Sequence, residues 1–260
     1  MRRKLNGLRM LITGASSGIG RAMAILAAEQ GARLLLTARR EDRLEELLGV
    51  VHAKGGDAAY LVGDIADPDH RQKLFQRAQH DLKGLDVLVN NAGIGAIGNF
   101  QEATPERLRQ LMEVNFFAPV ELTRLFLPML EKGNTPAICN ISSILGHRAV
   151  PGKSEYCASK FALHGFSDAL RAELVGKGID VILVSPSTTS SEFGASVIDK
   201  KGKLPAEGKF VLTPHDVALA ALRAIRSGKH EIIPSKPGYM MVLLDRLCPS
   251  WADWAVAKFG

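Results

Sequence analysis

Two side chains suited to moving a proton stand close together in Tyr156-Cys157-Ala158-Ser159-Lys160. On a helix, residues four apart share a face one turn apart, which sets the phenol beside the ammonium. A free phenol titrates at about 10 and is a poor base at neutral pH, while a neighbouring ammonium favours its phenolate. The pair can therefore take or give a proton at a carbonyl or alcohol oxygen. Tyr-x-x-x-Lys is common by chance, so its weight comes from its company. Ser143 lies in Asn140-Ile141-Ser142-Ser143-Ile144-Leu145-Gly146, Asn90-Asn91-Ala92-Gly93 stands further back, and Asn115 follows Val114 inside a long helical pattern.

A second group of residues is suited to phosphate. Thr13-Gly14-Ala15-Ser16-Ser17-Gly18-Ile19-Gly20 runs straight out of an apolar stretch into a helical one. Glycine lets the chain turn sharply and brings backbone against a pyrophosphate with no Cβ in the way. The helix that follows offers unpaired N–H groups and a positive dipole end. Gly14, Ser16, Ser17, Gly18, Ile19 and Gly20 are thus the candidate phosphate contacts. The next apolar stretch ends at Thr37-Ala38-Arg39-Arg40. In a dinucleotide fold this point faces the adenosine ribose, where a carboxylate suits a 2′-hydroxyl and an arginine suits a 2′-phosphate. Guanidinium forks bind phosphate through paired hydrogen bonds. Arg39, ahead of Arg40, therefore points to NADP(H), against the blander reading of a solvated helix start beside Glu41 and Asp42.

Alternating short and long segments would position these groups. Brief apolar runs at 9–13, 33–38, 58–62, 86–90, 137–142, 180–185 and 231–234 are too short for helices and read as strands covered on both faces. Helical patterns fill 19–30, 41–54, 68–81, 105–132, 155–177 and 213–227, with Asp67, Thr104 and Thr213 each preceding a proline as start signals. The alternation predicts an α/β fold, a doubly wound parallel sheet with helices on both faces. The polar residues above then gather at the carboxyl ends of strands, where such sheets bind ligands. No linker divides the 260 residues, so one domain is expected over 1–260, with a loop near 187–212 and an apolar segment over 238–260.

Composition excludes several classes. With 46% hydrophobic and 23% charged residues the chain is neither disordered nor collagen-like. The three cysteines are too few and scattered for a disulfide framework or a zinc site. Basic residues exceed acidic ones by 6, yet they are dispersed and aromatics make up only 6%, which argues against a nucleic-acid partner. The absence of a signal segment or a membrane-length apolar run sets the expectation of a cytoplasmic protein.

Taken together, the glycine turn, Asn-Asn-Ala-Gly, Asn115, Ser143 and the Tyr156/Lys160 pair resemble the short-chain dehydrogenase/reductase family in order and spacing, from Thr13 to about Ser191. The resemblance implies about seven parallel strands in the order 3-2-1-4-5-6-7, a homodimer or homotetramer joined through the central helices, and nicotinamide-dependent hydride transfer. Tyr156 would be the acid in reduction and the base in oxidation. Lys160 would bond the nicotinamide ribose and lower the Tyr156 pKa. Ser143 would donate to the substrate oxygen, and Asn115 would hold a water linking Lys160 to solvent. Asp64 and the Ile65 backbone would meet adenine, with Asn91, Ala92 and Gly93 on the adenosine and ribose side. The family's Pro-Gly after the sixth strand is Pro186-Ser187 here. That substitution puts the nicotinamide carboxamide contacts in question, with Pro186 and Thr189 or Ser191 as candidates to supply them.

The tail offers a hint of substrate. The resemblance implies that Met240, Met241, Leu243, Leu244, Trp251 and Trp254 flank the mouth of the site, which suggests a small apolar carbonyl or alcohol. The same residues could instead cap the core or a subunit contact, or with Phe259, Arg246 and Lys258 rest on a membrane surface. Two other functions fit the fold: a non-catalytic nucleotide sensor or scaffold, and a sugar-nucleotide epimerase. The first would be expected to have lost one of the four key side chains, and the second generally needs a larger C-terminal lobe.

Overall fold

The structure is a computed structural model that describes residues 2–190, 192–200 and 211–259. In chain order its strands are β1 (Arg9–Thr13), β2 (Arg33–Ala38), β3 (Asp57–Val62), β4 (Val87–Asn90), β5 (Gly95–Ile97), β6 (Ala137–Ile141), β7 (Asp180–Val184), β8 (Val197–Lys200) and β9 (Glu231–Ile232). Seven form one parallel sheet ordered β3-β2-β1-β4-β6-β7-β9. Counted within that sheet alone, the order is the expected 3-2-1-4-5-6-7. β5 and β8 make a separate parallel ladder that periodicity does not announce, because each is short and lies among glycines and polar residues.

The helices are α1 (Gly18–Ala28), α2 (Glu41–Ala53), α3 (Pro68–Arg77), α4 (Pro105–Met112), α5 (Ala118–Leu130), α6 (Ser154–Leu174), α7 (Pro214–Ser227), α8 (Lys236–Leu247) and α9 (Pro249–Phe259). Their start signals work as read. Asp67 accepts from the Asp69 N–H, Thr104 from the Arg107 N–H, and Thr213 forms a reciprocal box with Asp216. Alternate residues of each central strand feed two cores. Met10, Ile12, Leu34, Leu36, Val87 and Val89 pack under α1, α2 and α7. Leu11, Leu35, Leu88, Ile138 and Val181 pack on the other face with Leu111, Leu122 and Phe126.

Two predicted helices are interrupted. The segment expected over 105–132 breaks into α4 and α5 around a π-turn at Glu113–Phe117, and that over 68–81 ends in another π-turn at Ala78–Leu82. A π-turn adds one residue to a single turn between ordinary helical turns, a phase slip too local for pattern reading to resolve.

Candidate active site

The strand ends converge as the fold requires. Gly14 has φ +66°, and a Cβ there would sit 2.8 Å from the Ala92 Cα. Only glycine fits that approach. Thr13 Oγ1 accepts from the Asn91 and Ala92 N–H groups, both at 3.0 Å, and Asn91 Nδ2 donates to the carbonyls of Thr13 (2.8 Å) and Gly14 (3.2 Å). The Asn91 amide group is thus spent on holding the glycine turn. Ser17 begins α1 without a side-chain cap, and no acid occupies its first turn, so the helix presents its N–H groups and positive end to the cleft.

The arginines and Asp64 meet at one edge. Arg39 Nη1 lies 3.7 Å from Asp64 Oδ2, and both side chains are exposed. Arg40 reaches Ser16 Oγ through Nε (3.3 Å) and Nη2 (3.1 Å), and Glu192 through Nη1 at 3.4 Å. Asp64 also accepts from the Ala66 N–H at 3.0 Å, while the Ile65 carbonyl accepts from Arg71 at 2.6 Å. The Arg40 guanidinium and the Ser16 hydroxyl therefore cluster beside the turn, a grouping suited to a phosphate, while Arg39 stands exposed against Asp64.

At the centre, Lys160 is buried on α6 and donates to the Ile141 carbonyl at 3.1 Å, with Nζ 5.8 Å from the Tyr156 ring centroid. Asn115 sits in the π-turn. Its Oδ1 accepts from the Ile94 N–H (2.9 Å), and its Nδ2 donates to the Ile94 carbonyl (2.9 Å) and Ser159 Oγ (3.0 Å). A Cβ placed on Gly93 would lie 3.2 Å from Asn115 Oδ1 and 3.6 Å from Lys160 Nζ, so the absent methyl leaves a space walled by both. Ser143 caps the turn Ile144–Gly146, its Oγ accepting from the Leu145 N–H at 3.1 Å, and it hydrogen-bonds Tyr156. All four expected side chains are thus brought together.

Their electrostatics differ from the simple pairing. Burial pushes Tyr156 up to about 12, and the influence that lowers it is the Ser143 hydrogen bond rather than Lys160. Burial likewise drives Lys160 down to about 8. In a dry site the cost of desolvating each charged form exceeds the attraction between them. The folded chain alone therefore holds a protonated phenol.

Beyond β7, Pro186 accepts from the Ile144 N–H at 3.0 Å, Thr189 Oγ1 donates to the Ser187 carbonyl at 3.1 Å, and Ser187 is not among the residues with positive φ. Serine at the family's glycine position therefore causes no backbone strain. Ser191 and positions 201–210 of the expected loop lie outside the described residues. What does show is a cover that sequence reading missed. Phe193 meets the Tyr156 ring edge-on at 6.0 Å, and Glu192 pairs with Arg40. Arg107 forms a buried ion pair with Glu155 and reaches Asp199 on β8 at 3.1 Å. An acid immediately before the tyrosine was the one available signal. In the tail, α8 and α9 are helical. Arg148 ties them down through Asp245 (2.8 Å) and Asp253 (2.5 Å), and Met240, Leu247, Trp251 and Trp254 stay exposed. None of the described helices is long and apolar enough to cross a membrane.

A parallel sheet that gathers a glycine turn, an Asn–Lys–Tyr–Ser cluster and basic side chains at its carboxyl edge defines a nicotinamide-binding oxidoreductase fold. The chain belongs to the short chain dehydrogenase family, whose profile matches residues 9–202. It is similar to the ketoacyl reductase HetN of Nostoc sp., 31% identical over 98% of this chain and 90% of that protein. A dehydrogenase/reductase SDR family protein 7-like of Drosophila melanogaster is 33% identical over 99% and 82%. Among solved structures, a Burkholderia phymatum short chain dehydrogenase/reductase in complex with NAD shares the fold, with TM-score 0.87, 23% identity and 96% of both chains covered. An alcohol dehydrogenase from Thermococcus sibiricus complexed with 5-hydroxy-NADP gives TM-score 0.78 at 25% identity, over 88% of this chain and 96% of that one.

Proposed function

We propose that the protein interconverts a carbonyl and an alcohol using NADP(H), with Tyr156 as the acid/base. The observation that carries this reading is the meeting of Ser143, Tyr156, Lys160 and Asn115 around the space beside Gly93. The residues fit the cofactor: the Gly14 turn and uncapped α1 suit its pyrophosphate, and Lys160 and Asn115 border room for a ribose. Bound there, a nicotinamide supplies or accepts the hydride. Tyr156 gives its proton to the substrate oxygen in reduction, and the protonated phenol of the folded chain is the form this direction needs. Ser143 donates to the same oxygen as negative charge grows on it. Lys160 bonds the ribose and replaces the proton, drawing on solvent through a water held at Asn115. Pro186 and Thr189 border the carboxamide, while Asp64, Ile65, Ala92 and Gly93 line the adenosine side.

The preference for NADP(H) over NAD(H) rests on Arg39 and Arg40 with Ser16, and on the lack of an acid at the end of β2. The exposed apolar residues of α8 favour a small apolar substrate or a membrane surface near the mouth. Phe117 and Phe161, exposed on the central helices, favour a homo-oligomer formed there. The 260 residues act as one catalytic unit. A non-catalytic sensor would be expected to lack one of the four key side chains, and all are present. The test is consumption of NADPH and of NADH with a panel of apolar aldehydes and ketones. The reading expects NADPH to be preferred, and no turnover with either cofactor would contradict it.

A further inference from the structure

Directly beneath the Ser143 turn lies a polar chain, buried at Ser185 and His164 and half-buried at Glu231, that the reaction as proposed does not use. The turn runs from Ser143 through Ile144–Gly146 to His147. His147 Nε2 lies 2.7 Å from Glu231 Oε1 on β9, and Ser185 Oγ, at the end of β7, donates to the same oxygen at 3.2 Å. His164 Nε2 stands 3.5 Å from Ser185 Oγ, and the two imidazole rings meet edge to face at 4.3 Å. His164 is one turn beyond Lys160 on the face of α6 that carries Tyr156. It also presses on the turn itself, since a Cβ on Gly146 would lie 2.6 Å from its Nε2.

Proton bookkeeping gives the chain a direction. A carboxylate only accepts, and Ser185 has one proton, which goes to Glu231. His164 must then donate through Nε2 to Ser185, and His147 must donate through Nε2 to Glu231. The carboxylate thereby fixes the tautomers of both rings. We propose that Glu231, at the edge of the sheet, is the positioning residue for Ser143, holding its turn through His147 and through Ser185 and His164. Burial and the nearby His147 push His164 down to about 4, so it stays neutral at working pH, and the His147 bond keeps Glu231 low and charged. His164 and Glu231 therefore keep their charge states while the substrate oxygen changes. Freed from this anchor, the Ser143 hydroxyl loses the alignment that a growing alkoxide requires.

The inference rests on the proposed carbonyl chemistry, and two readouts separate their failures. In turnover, Glu231→Ala should lower kcat about tenfold with NADPH affinity unchanged, a fraction of what removing an oxyanion donor costs. Glu231→Gln, which keeps an acceptor for both bonds, should stay within about twofold of wild type. His147→Ala, which cuts one of the two arms without touching the sheet, should show part of the same loss if Glu231→Ala fails to fold. Combined with Ser143→Ala, either variant should cost nothing further; fully multiplicative losses, or no loss in the single variants, overturn the role. Independently of turnover, amide exchange at Leu145–His147 should quicken about tenfold in Glu231→Ala and not in Glu231→Gln. If wild type turns over no carbonyl, the enzymatic reading falls and exchange alone decides: a loosened turn supports the anchor, and an unchanged one overturns it. The ring nitrogens of His147 and His164 and the Glu231 carboxylate all lie within 4.8 Å of one another. Stoichiometric zinc binding that disappears in His164→Gln would make this a metal centre and also overturn the proposal.

Discussion

At the scale of single residues, the site is a set of groups held in unfavourable surroundings. Tyr156 is kept protonated and Lys160 is kept from its ordinary affinity for protons, both by burial. Such perturbed pairs in a cleft are where proton chemistry is found. The side chains themselves were legible because their types and spacing are dense with constraint. The direction of the shifts was not, because desolvation depends on packing that spacing does not encode. Arg39 provides a test at this scale. Arg39→Asp should weaken NADPH about tenfold to a hundredfold in titration by fluorescence and leave NADH nearly unchanged, as loss of a charge-assisted bond to phosphate predicts. Matched losses for the two cofactors would remove the 2′-phosphate contact.

At the scale of elements, turns decide where those residues stand. Gly14→Ala places a methyl 2.8 Å from backbone at φ +66°, and it should destabilise the chain by about 1–3 kcal/mol in denaturant unfolding while abolishing nucleotide binding. The π-turn is the other device. Asn115 grips both backbone groups of Ile94 from it, so Asn115→Ala strands a buried donor and a buried acceptor. We expect a loss of about 3 kcal/mol, together with lower kcat; a variant as stable as wild type would show that the grip contributes nothing. Sequence reading found strands and caps because apolar runs and Asp, Thr and Pro starts are local signals, whereas the sheet order came only from the family resemblance. It missed both π-turns, whose single extra residue is a slip too local to read, and the β5–β8 ladder, whose residues do not alternate. Phe193 over Tyr156 was invisible for the same reason, since contact across 37 positions leaves no periodicity.

At the scale of the whole molecule, burial of the site couples it to stability. Lys160 titrates at about 8 when folded against 10.5 in its ordinary state. Between those values the unfolded chain binds more protons than the folded one, so stability rises with pH through this window. Below about 8 the penalty is complete, and above 10.5 it is gone. Tyr156, pushed to about 12 from 10.0, acts in the opposite sense above pH 10, so the comparison belongs in the Tyr156→Phe background. There, unfolding free energies of chains with and without Lys160→Met should converge in favour of Lys160 by roughly 3 kcal/mol from pH 8 to 10.5; parallel curves would mean the ammonium is not desolvated. The exposed Phe117 and Phe161 make a separate claim: Phe117→Asp with Phe161→Asp should shift the sedimentation of an oligomer to that of a 28.1 kDa monomer. Sedimentation identical to wild type would place the subunit contact elsewhere.

The proposed reaction turns on one proton, and single-turnover reduction of an accepted carbonyl by NADPH reads it most directly. Tyr156→Phe should bind NADPH within about twofold of wild type, yet slow the hydride-coupled step by about a hundredfold to ten-thousandfold. If the two proteins consume NADPH at the same rate, the phenol is not the acid and the account is wrong.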